Sequence, residues 1–269
     1  MSASVVPGVL HVRGADLYYE LRGAGPLLAL IGGPMDARGF AALADELARD
    51  HRVLTTDPRG VLRSPVDDPE QERFPELRAA DLARLVRHVG AAGATGDSGV
   101  AVLGTCGGAV AALALALAQP DLLGTVVAHE PPLPELLPDR AERRIATEET
   151  VRHSLERGIS DASVAVHFAA GRSGGEAVAQ DGADEQRFLQ HEMLSTTQWV
   201  PDVARLRGSG TRIVVGVGED SAGQTCGLAA RALAADLGTG AVEFPGGHLG
   251  FVDHPATFAD RLRAVLAEG

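Results

Sequence analysis

The chain of 269 residues lacks lysine and asparagine altogether, and only two of its residues, Cys106 and Cys226, are cysteines. Its 24 basic residues are therefore all arginines, a compositional bias to which we attach no mechanism. Two thiols in a chain of this length do not make a disulfide framework, which favours a reducing compartment. The 45% of hydrophobic residues is enough for a sizeable core without cross-links. We therefore expect a cytoplasmic protein.

Other absences exclude whole classes of partner and cofactor. No apolar run reaches the roughly 18 residues that cross a bilayer, and the N-terminus lacks the layout of a signal peptide. The formal net charge of −12 argues against nucleic acid and anionic membrane surfaces as partners. No His/Cys cluster has metal-ligand spacing, and no Gly-x-Gly-x-x-Gly follows the first strand. We expect no metal and no organic cofactor, and we leave the oligomeric state open.

Apolar strands alternate with helices along most of the chain. The predicted strands of this alternating part are Leu27–Ile31, Val53–Thr56, Val100–Leu103, Thr125–Ala128, Ile213–Val217 and Ala241–Phe244. Such alternation predicts an α/β fold with a mostly parallel central sheet and helices on both faces. Residues 131–208 break this rhythm because they are polar, charged and helical in character. We therefore expect a core of residues 1–130 and 209–269, with 131–208 inserted as a helical cap.

The segment Gly104-Thr105-Cys106-Gly107-Gly108 lies between an apolar strand and an apolar helix. Gly-x-nucleophile-x-Gly in this position is the pattern of a nucleophile elbow, whose apex residue is usually serine. The glycines are needed because neighbouring side chains would clash in the tight turn. The N-terminus of the following helix stabilises negative charge, which favours a reactive thiolate. An isolated Gly-x-Cys-x-Gly would more often hold an inert buried cysteine, but its place between strand and helix favours a nucleophile.

Such a nucleophile needs a base, and the base needs an acid to orient it. His248, in the loop after the last apolar strand, is the expected base, and His129 at the end of another strand is the second candidate. The acid should precede the base in the chain. Asp220 is the expected acid, with Glu219 close behind because one residue of register in their turn decides between them. Glu130 is a third possibility because it also ends a strand. If neither Glu219 nor Asp220 is the acid, we expect these two residues only to cap the helix that follows them.

Acyl transfer also requires two backbone N–H groups that stabilise the oxyanion. Gly107, directly after the nucleophile, is expected to supply one of them. Gly33, in the Gly-Gly-Pro turn after an early apolar strand, is expected to supply the other. Met35, beside that turn, and Thr105, beside the nucleophile, are expected to line the substrate pocket.

With these pieces placed, the chain resembles the α/β-hydrolase superfamily over nearly its full length. The resemblance is carried by the elbow, by Ile31-Gly32-Gly33-Pro34, by Asp57-Pro58-Arg59-Gly60 with Arg63-Ser64, and by Gly247-His248. It implies a nucleophile at Cys106, a base at His248 and an acid at Asp220 or Glu219. It further implies that Gly33 and Gly107 form the oxyanion hole. Because this fold hosts many activities, the resemblance alone does not specify the substrate.

Three positions depart from the pattern of that superfamily. Ile31 stands where many members have histidine, Leu62 stands where a glycine is usual, and Cys106 replaces serine. The first two departures are expected to alter loop packing and not the chemistry. An aspartate at the elbow would have suggested epoxide hydrolysis or dehalogenation, and its absence argues against both.

The expected function is hydrolysis of a small or medium ester, lactone or thioester through a covalent acyl-enzyme, so the expected partner is a small-molecule acyl substrate. The cysteine leaves several alternatives open. In the first, it is the native nucleophile, as the resemblance to the dienelactone-hydrolase branch implies. In the second, it is an engineered Ser→Cys change that traps an acyl intermediate or silences a serine hydrolase. In the third, the chain only binds a ligand in its pocket. An acyl transferase or cyclase of secondary metabolism is a further alternative on the same fold.

Overall fold

The computed structural model describes residues 3–72, 74–90, 99–157 and 182–268. At the centre of these residues is an eight-stranded sheet with the strand order β1-β2-β4-β3-β5-β6-β7-β8. The strands are β1 (Val5–Val12), β2 (Ala15–Arg22), β3 (Leu27–Ile31), β4 (Arg52–Thr56), β5 (Val100–Thr105), β6 (Leu123–His129), β7 (Arg212–Gly218) and β8 (Val242–Phe244). The first two form an antiparallel hairpin, and β2 pairs antiparallel with β4. All further pairings are parallel, which confirms the predicted mostly parallel sheet.

Helices follow the strands and cover both faces of the sheet. They are α1 (Ala41–Leu47), α2 (Pro75–Gly90), α3 (Gly107–Ala118), α4 (Arg140–Arg157), α5 (Gly182–His191), α6 (Met193–Thr197), α7 (Val203–Gly208), α8 (Thr225–Leu237), α9 (Gly250–Asp253) and α10 (Pro255–Ala267). Three short 3₁₀ helices lie at Ala37–Phe40, Pro120–Leu122 and Pro134–Leu136. The arrangement confirms the predicted α/β-hydrolase fold.

The central strands are mostly apolar, as expected for strands with both faces buried. On β5, Val102 packs into an apolar cluster shared with α2, α3 and α8, whereas Leu103 packs into a second cluster shared with α1 and α10. Successive side chains of a strand point to opposite faces, so a strand covered on both sides alternates between two cores. The two clusters hold the carboxyl ends of β5, β6 and β7 in one edge of the sheet, where the candidate site lies.

The segment between β6 and β7 carries α4 to α7 and lies over that edge. Four of its side chains form a small apolar cluster of their own, separate from the two clusters of the sheet: Val151, Phe188, Leu189 and Met193. In contrast, Leu206 of α7 is buried in the cluster of α2, α3 and α8. Residues 158–181 of the expected cap lie outside the described residues. In the described part of the chain, no helix is both long and apolar enough to cross a membrane.

Candidate active site

Cys106 lies at the sharp turn between β5 and α3, with a φ of 52° and a ψ of −127°. A positive φ is unusual for a residue with a side chain and costs about 1–3 kcal/mol, so the surrounding contacts must hold it. The Cys106 N–H donates to His129 O on β6 at 3.1 Å, and Cys106 O accepts from Ala109 N at 2.9 Å. These bonds attach the turn to the neighbouring strand and to the first turn of α3. The geometry is that of the predicted nucleophile elbow.

The two glycines that flank this turn are required by close backbone contacts. A Cβ at Gly104 would lie 2.5 Å from Gly108 O. A Cβ at Gly108 would lie 2.3 Å from Ile31 O on β3. Since the opposing atoms belong to the backbone and cannot swing away, no side chain fits at either position. The pattern Gly-x-Cys-x-Gly is therefore a packing requirement of the elbow, as the sequence predicted.

His248, in the loop between β8 and α9, is buried against the carboxylate of Glu130. The His248 Nδ1 lies 2.7 Å from Glu130 Oε2 and donates to it, while Glu130 Oε1 accepts from Gly218 N at 2.8 Å. The other nitrogen of the imidazole is left for Cys106, which lines the same cavity and lies close enough to His248 to raise the pKa of the imidazole. Cys106, His248 and Glu130 thus form a continuous chain of three interacting side chains.

The electrostatic interactions among these three side chains favour the charged forms of His248 and Glu130. Burial by itself would lower the pKa of His248, but the hydrogen bond and negative charge of Cys106, followed by those of Glu130, raise it to about 10. Burial would raise the pKa of the Glu130 carboxyl, but the hydrogen bond from His248 lowers it to about 2. The hydroxyl of Ser221 contributes to the same lowering, although it makes no well-formed hydrogen bond to a described residue. The imidazolium and the carboxylate are therefore both charged at neutral pH.

The structure corrects the expected acid. Asp220 and Glu219 are exposed, and their backbone N–H groups donate to the loop after β8, Asp220 N to Gly246 O at 3.1 Å and Glu219 N to Phe244 O at 3.0 Å. These bonds tie the turn after β7 to the loop after β8 and leave both carboxylates outside the site. The assignment of the acid to Asp220 or Glu219 is wrong, and Glu130, the third candidate, occupies the position. The sequence signal for Glu130 was its position at the end of β6, the strand next to the elbow.

His129, the second candidate for the base, plays no part in this chain of side chains. It is fully buried, with its ring centroid 5.6 Å from Phe244 and 5.4 Å from Phe258. Neither ring nitrogen of His129 has a hydrogen-bond partner among the described residues. Burial lowers its pKa to about 4, so the ring is a neutral packing group at pH 7.

The two expected oxyanion donors meet at the elbow. Gly33 follows β3, and a Cβ there would lie 3.1 Å from Gly108 N, so the two turns are in backbone contact. Gly107 is the first residue of α3, and the N–H groups of a first helical turn have no acceptor within the helix. Gly33 and Gly107 line the same cavity as Cys106 and His248.

Asp57, the first residue of the Asp-Pro-Arg-Gly motif, braces the loop that carries Gly33. It is fully buried and accepts from Ala37 N at 3.0 Å and from both ends of the Arg63 guanidinium at 2.7 and 2.9 Å. Leu62, which precedes Arg63, has a φ of 47°. This left-handed conformation favours glycine, which is the residue usual there in the superfamily that the chain resembles.

A cavity of about 430 Å³ opens above the elbow, between the sheet edge and the segment that carries α4 to α6. The described residues that line it are Gly33, Cys106, Gly107, Pro132, Pro134, Arg143, Ala146, Thr147, Phe188, Met193, Thr196, Thr197, Gly223, Gln224, Thr225, Cys226 and His248. Neither Met35 nor Thr105 is among them, so both pocket predictions are wrong. Met35 packs toward Phe40 and Gly39 on the side of α1, and Thr105 is buried within the sheet.

Among the cavity residues that the sequence did not predict, two carry a reactive or charged side chain. Cys226, in the first turn of α8, shares the cavity with Cys106, and Arg143 on α4 projects into it. Nothing in the local sequence marks either position, because both come to the site through the packing of α4 and α8 over the sheet. Among the described residues, no group of three His, Cys, Asp or Glu side chains could hold a metal ion.

Comparisons with known proteins agree with this fold. The model of the Alpha/beta hydrolase family matches residues 27–261. The chain is 28% identical over 266 residues to the uncharacterized hydrolase YraK of Bacillus subtilis (strain 168), covering 96% of this chain and 95% of that protein. A hydrolase from Pseudomonas aeruginosa has a TM-score of 0.70 at 21% identity, covering 97% of this chain and 98% of its own. A proline iminopeptidase-related protein from Thermus thermophilus has a TM-score of 0.69 at 22% identity, covering 98% of both chains.

Proposed function

The chain belongs to the alpha/beta hydrolase family, and on this premise we propose that it is a cysteine-dependent hydrolase of esters, lactones or thioesters. The observation that carries the proposal is that Cys106 shares a cavity with His248, whose Nδ1 lies 2.7 Å from Glu130 Oε2. A nucleophile, a base and an orienting acid in this order are the parts that acyl transfer requires.

In the proposed first step, Cys106 Sγ attacks the carbonyl carbon of the substrate. His248 takes the proton of the Cys106 thiol, because the adjacent Glu130 carboxylate favours the imidazolium, and the thiolate that remains is the nucleophile. The N–H groups of Gly33 and Gly107 stabilise the negative oxygen of the tetrahedral intermediate, at about 3 kcal/mol per donor in comparable sites. His248 then gives its proton to the departing oxygen or sulfur, and a thioester to Cys106 remains.

In the second step, water attacks this thioester and His248 takes a proton from it. Collapse of the second tetrahedral intermediate releases the carboxylic acid and restores the Cys106 thiolate and the imidazolium. Glu130 keeps Nδ1 of His248 protonated throughout, which directs Nε2 toward the reacting atoms. We also propose that residues 131–208 form a cap, because Arg143, Phe188 and Met193 of that segment line the cavity.

The test combines turnover with intact-mass measurement on p-nitrophenyl butyrate. We expect the unaltered chain to release p-nitrophenol repeatedly, and Cys106→Ala to release none above background. A butyryl adduct trapped early in the reaction is expected to map to Cys106, and it is expected to remain on Cys106 in a Cys226→Ala chain. Turnover that survives in Cys106→Ala would refute the proposal. Amide or ester products formed with added amines or alcohols, in preference to acid, would indicate an acyl transferase.

Alkylation by iodoacetamide tests the thiolate directly, with the second cysteine as an internal reference. Cys226 faces the cavity in part, but the surrounding protein desolvates it, and this burial together with the charges of Cys106 and Glu130 raises its pKa. We therefore expect Cys106 to be alkylated faster than Cys226 at pH 7, and His248→Ala to remove that difference. Equal rates for the two cysteines in the unaltered chain would contradict an activated nucleophile.

A further inference from the structure

The permanent charge on the lining of the cavity above the elbow is positive. Among the described residues that line it, Arg143 is the single side chain with a permanent charge, and none is an Asp or a Glu. Apart from Cys106 and His248 of the proposed catalytic group, the remaining lining is small, aliphatic, aromatic or neutral polar. A cation beside such a surface is stabilised when an anion joins it. This excess of positive charge stands out in a chain whose formal net charge is −12.

The hydrogen bonds of Arg143 leave part of its guanidinium free. Nε donates to Asp139 Oδ1 at 2.7 Å, one helical turn earlier, and Nη1 donates to Thr225 Oγ1 at 2.7 Å. A guanidinium carries five N–H donors, and Nη2 of Arg143 donates to no described residue. Asp139 is largely exposed, so its charge is screened by solvent and offsets only part of the charge that faces the cavity.

The part of the cavity wall next to Arg143 is also suited to an anion. Gln224 and Thr225 begin α8, a helix of 13 residues, and the N-cap residue Gln224 makes no side-chain hydrogen bond to the first turn. N–H groups of this turn therefore lack side-chain acceptors, and the positive end of the helix dipole lies at the cavity wall. The bond between Arg143 and Thr225 brings this helix end and the guanidinium together.

We propose that the substrate carries a carboxylate at the end remote from its reacting carbonyl, and that Arg143 binds this carboxylate. This proposal rests on the proposed function, because it names the substrate class of the same site. A single guanidinium with neutral donors around it matches the single charge of a carboxylate, which arginine binds through two parallel N–H···O bonds. Half-esters, half-thioesters or lactone acids of dicarboxylic compounds are then the preferred class.

The test compares matched charged and neutral substrates. One pair places the charge on the acyl side, p-nitrophenyl hydrogen adipate against p-nitrophenyl hexanoate. The other pair places it on the leaving group, 4-butyryloxybenzoate against phenyl butyrate. We expect kcat/KM to favour the charged member of at least one pair by about tenfold or more, as for hydrogen bonds to a charged partner. The ratio should fall toward one in Arg143→Met and take an intermediate value in Arg143→Lys.

Arg144 provides the matched control. It is the next residue of α4, pairs with Glu135, and does not line the cavity. Arg144→Gln is expected to keep the ratio of the unaltered chain. If Arg143 only ties α4 to α8, Arg143→Met will lower both kcat/KM values together and leave their ratio unchanged, which overturns the inference. Equal kcat/KM values within both pairs in the unaltered chain overturn it as well, while Cys106-dependent hydrolysis of the neutral esters would leave the proposed function intact.

A binding measurement separates the two proposals if neither pair is hydrolysed. Adipamate carries a carboxylate at one end, and adipamide is its neutral counterpart. We expect millimolar adipamate, but not adipamide, to raise the unfolding temperature of the unaltered chain and of Cys106→Ala, and to have no such effect in Arg143→Met. Equal shifts with both compounds, or a shift that persists in Arg143→Met, would overturn the role of Arg143.

Discussion

At the scale of single residues, Glu130 shows how backbone position decides a role. It follows β6, has a φ of 48°, and anchors its N–H on Gly216 O at 3.0 Å. This strained conformation turns the carboxylate back over the sheet edge, where it accepts from Gly218 N and His248 Nδ1. Two donors on one buried carboxylate stabilise its charged form and fix its orientation. The strain at Glu130 is thus offset by the contacts that place it beside His248.

We predict that Glu130→Gln lowers kcat for p-nitrophenyl butyrate by about 100-fold or more. Loss of the negative charge also lowers the pKa of His248, so the alkaline limb of the pH–rate profile should move to lower pH. Steady-state kinetics between pH 5 and about 10 check both effects. Asp220→Asn is the matched control, and its kinetics should equal those of the unaltered chain because Asp220 is exposed. A loss in Asp220→Asn with none in Glu130→Gln would reverse the assignment of the acid.

The two buried histidines beside Glu130 illustrate the effect of surroundings on one residue type. His248 is held between negative groups and has a raised pKa, whereas His129 is held between aromatic rings and has a lowered pKa. Burial disfavours the imidazolium in both cases, and only the neighbouring charges differ. Histidine is therefore ionised at position 248 and a neutral packing group at position 129.

We predict that His129 makes the fold sensitive to mild acid. Its pKa is about 4 in the fold against about 6.5 in the unfolded chain. Between these pH values the unfolded state binds the extra proton, so stability is lost as the pH falls from 6.5 to 4. At 1.36 kcal/mol per pKa unit, the loss is at most about 3 kcal/mol. Urea unfolding at several pH values should show a shallower decline in His129→Leu, and an unchanged slope would contradict the prediction.

At the scale of elements, the junction of β5 and α3 is set by backbone contacts on two sides. Gly108 packs against Ile31 O on β3, and Gly33 packs against the first turn of α3. The nucleophile and the loop that carries the expected oxyanion donor are therefore held by the same contact. A Cβ added at Gly108 would lie only 2.3 Å from Ile31 O, so the packing leaves no room for a side chain there.

We predict that Gly108→Ala lowers the free energy of unfolding by about 3 kcal/mol or more, because the added methyl group meets fixed backbone atoms. Denaturant unfolding followed by circular dichroism measures this loss. Gly208→Ala is the matched control, since nothing lies within 4 Å of a Cβ at that position. It should leave stability unchanged or slightly raised. Comparable stability of the two variants would show that the elbow can relax.

At the scale of the whole molecule, the segment over the cavity is joined to the sheet layers by buried polar contacts. Arg78 of α2 forms an ion pair with Glu192, between α5 and α6, and their side chains are only 9% and 4% exposed. Met193 and Thr196, which line the cavity, follow Glu192 directly. The ion pair therefore fixes one wall of the cavity against the core.

We predict that Glu192→Gln lowers the free energy of unfolding by about 3 kcal/mol, because it leaves the Arg78 charge buried without its partner. It should also lower kcat/KM, since the cavity wall shifts with α6. Glu243→Gln removes one partner of the exposed pair Arg231–Glu243 and should cost less than about 1 kcal/mol. Urea unfolding and ester kinetics on both variants test this prediction. A loss in Glu192→Gln no larger than that in Glu243→Gln would show that the Arg78–Glu192 pair is dispensable.

The fold class and the position of the tight turn at Cys106 follow from the sequence alone, and the sequence also predicts His248 as the base. Alternation of apolar strands with helices is a local pattern, and the glycines around Cys106 are demanded by one tight turn. His248 was recognisable because it follows the last apolar strand. Each of these depends on residues close together in the chain, where spacing and backbone geometry carry the information.

Which carboxylate meets His248, and which side chains line the cavity, became known only from the tertiary structure. Glu130 and Asp220 follow the neighbouring strands β6 and β7 at the same edge of the sheet. The pairing of these strands, with the contacts of the loop after β8, turns the Glu130 carboxylate inward and the Asp220 carboxylate outward. Arg143 and Cys226 reach the cavity because α4 and α8 pack over the edge. Side chains far apart in the chain meet through the register of strands and the packing of helices, and no local pattern encodes that meeting.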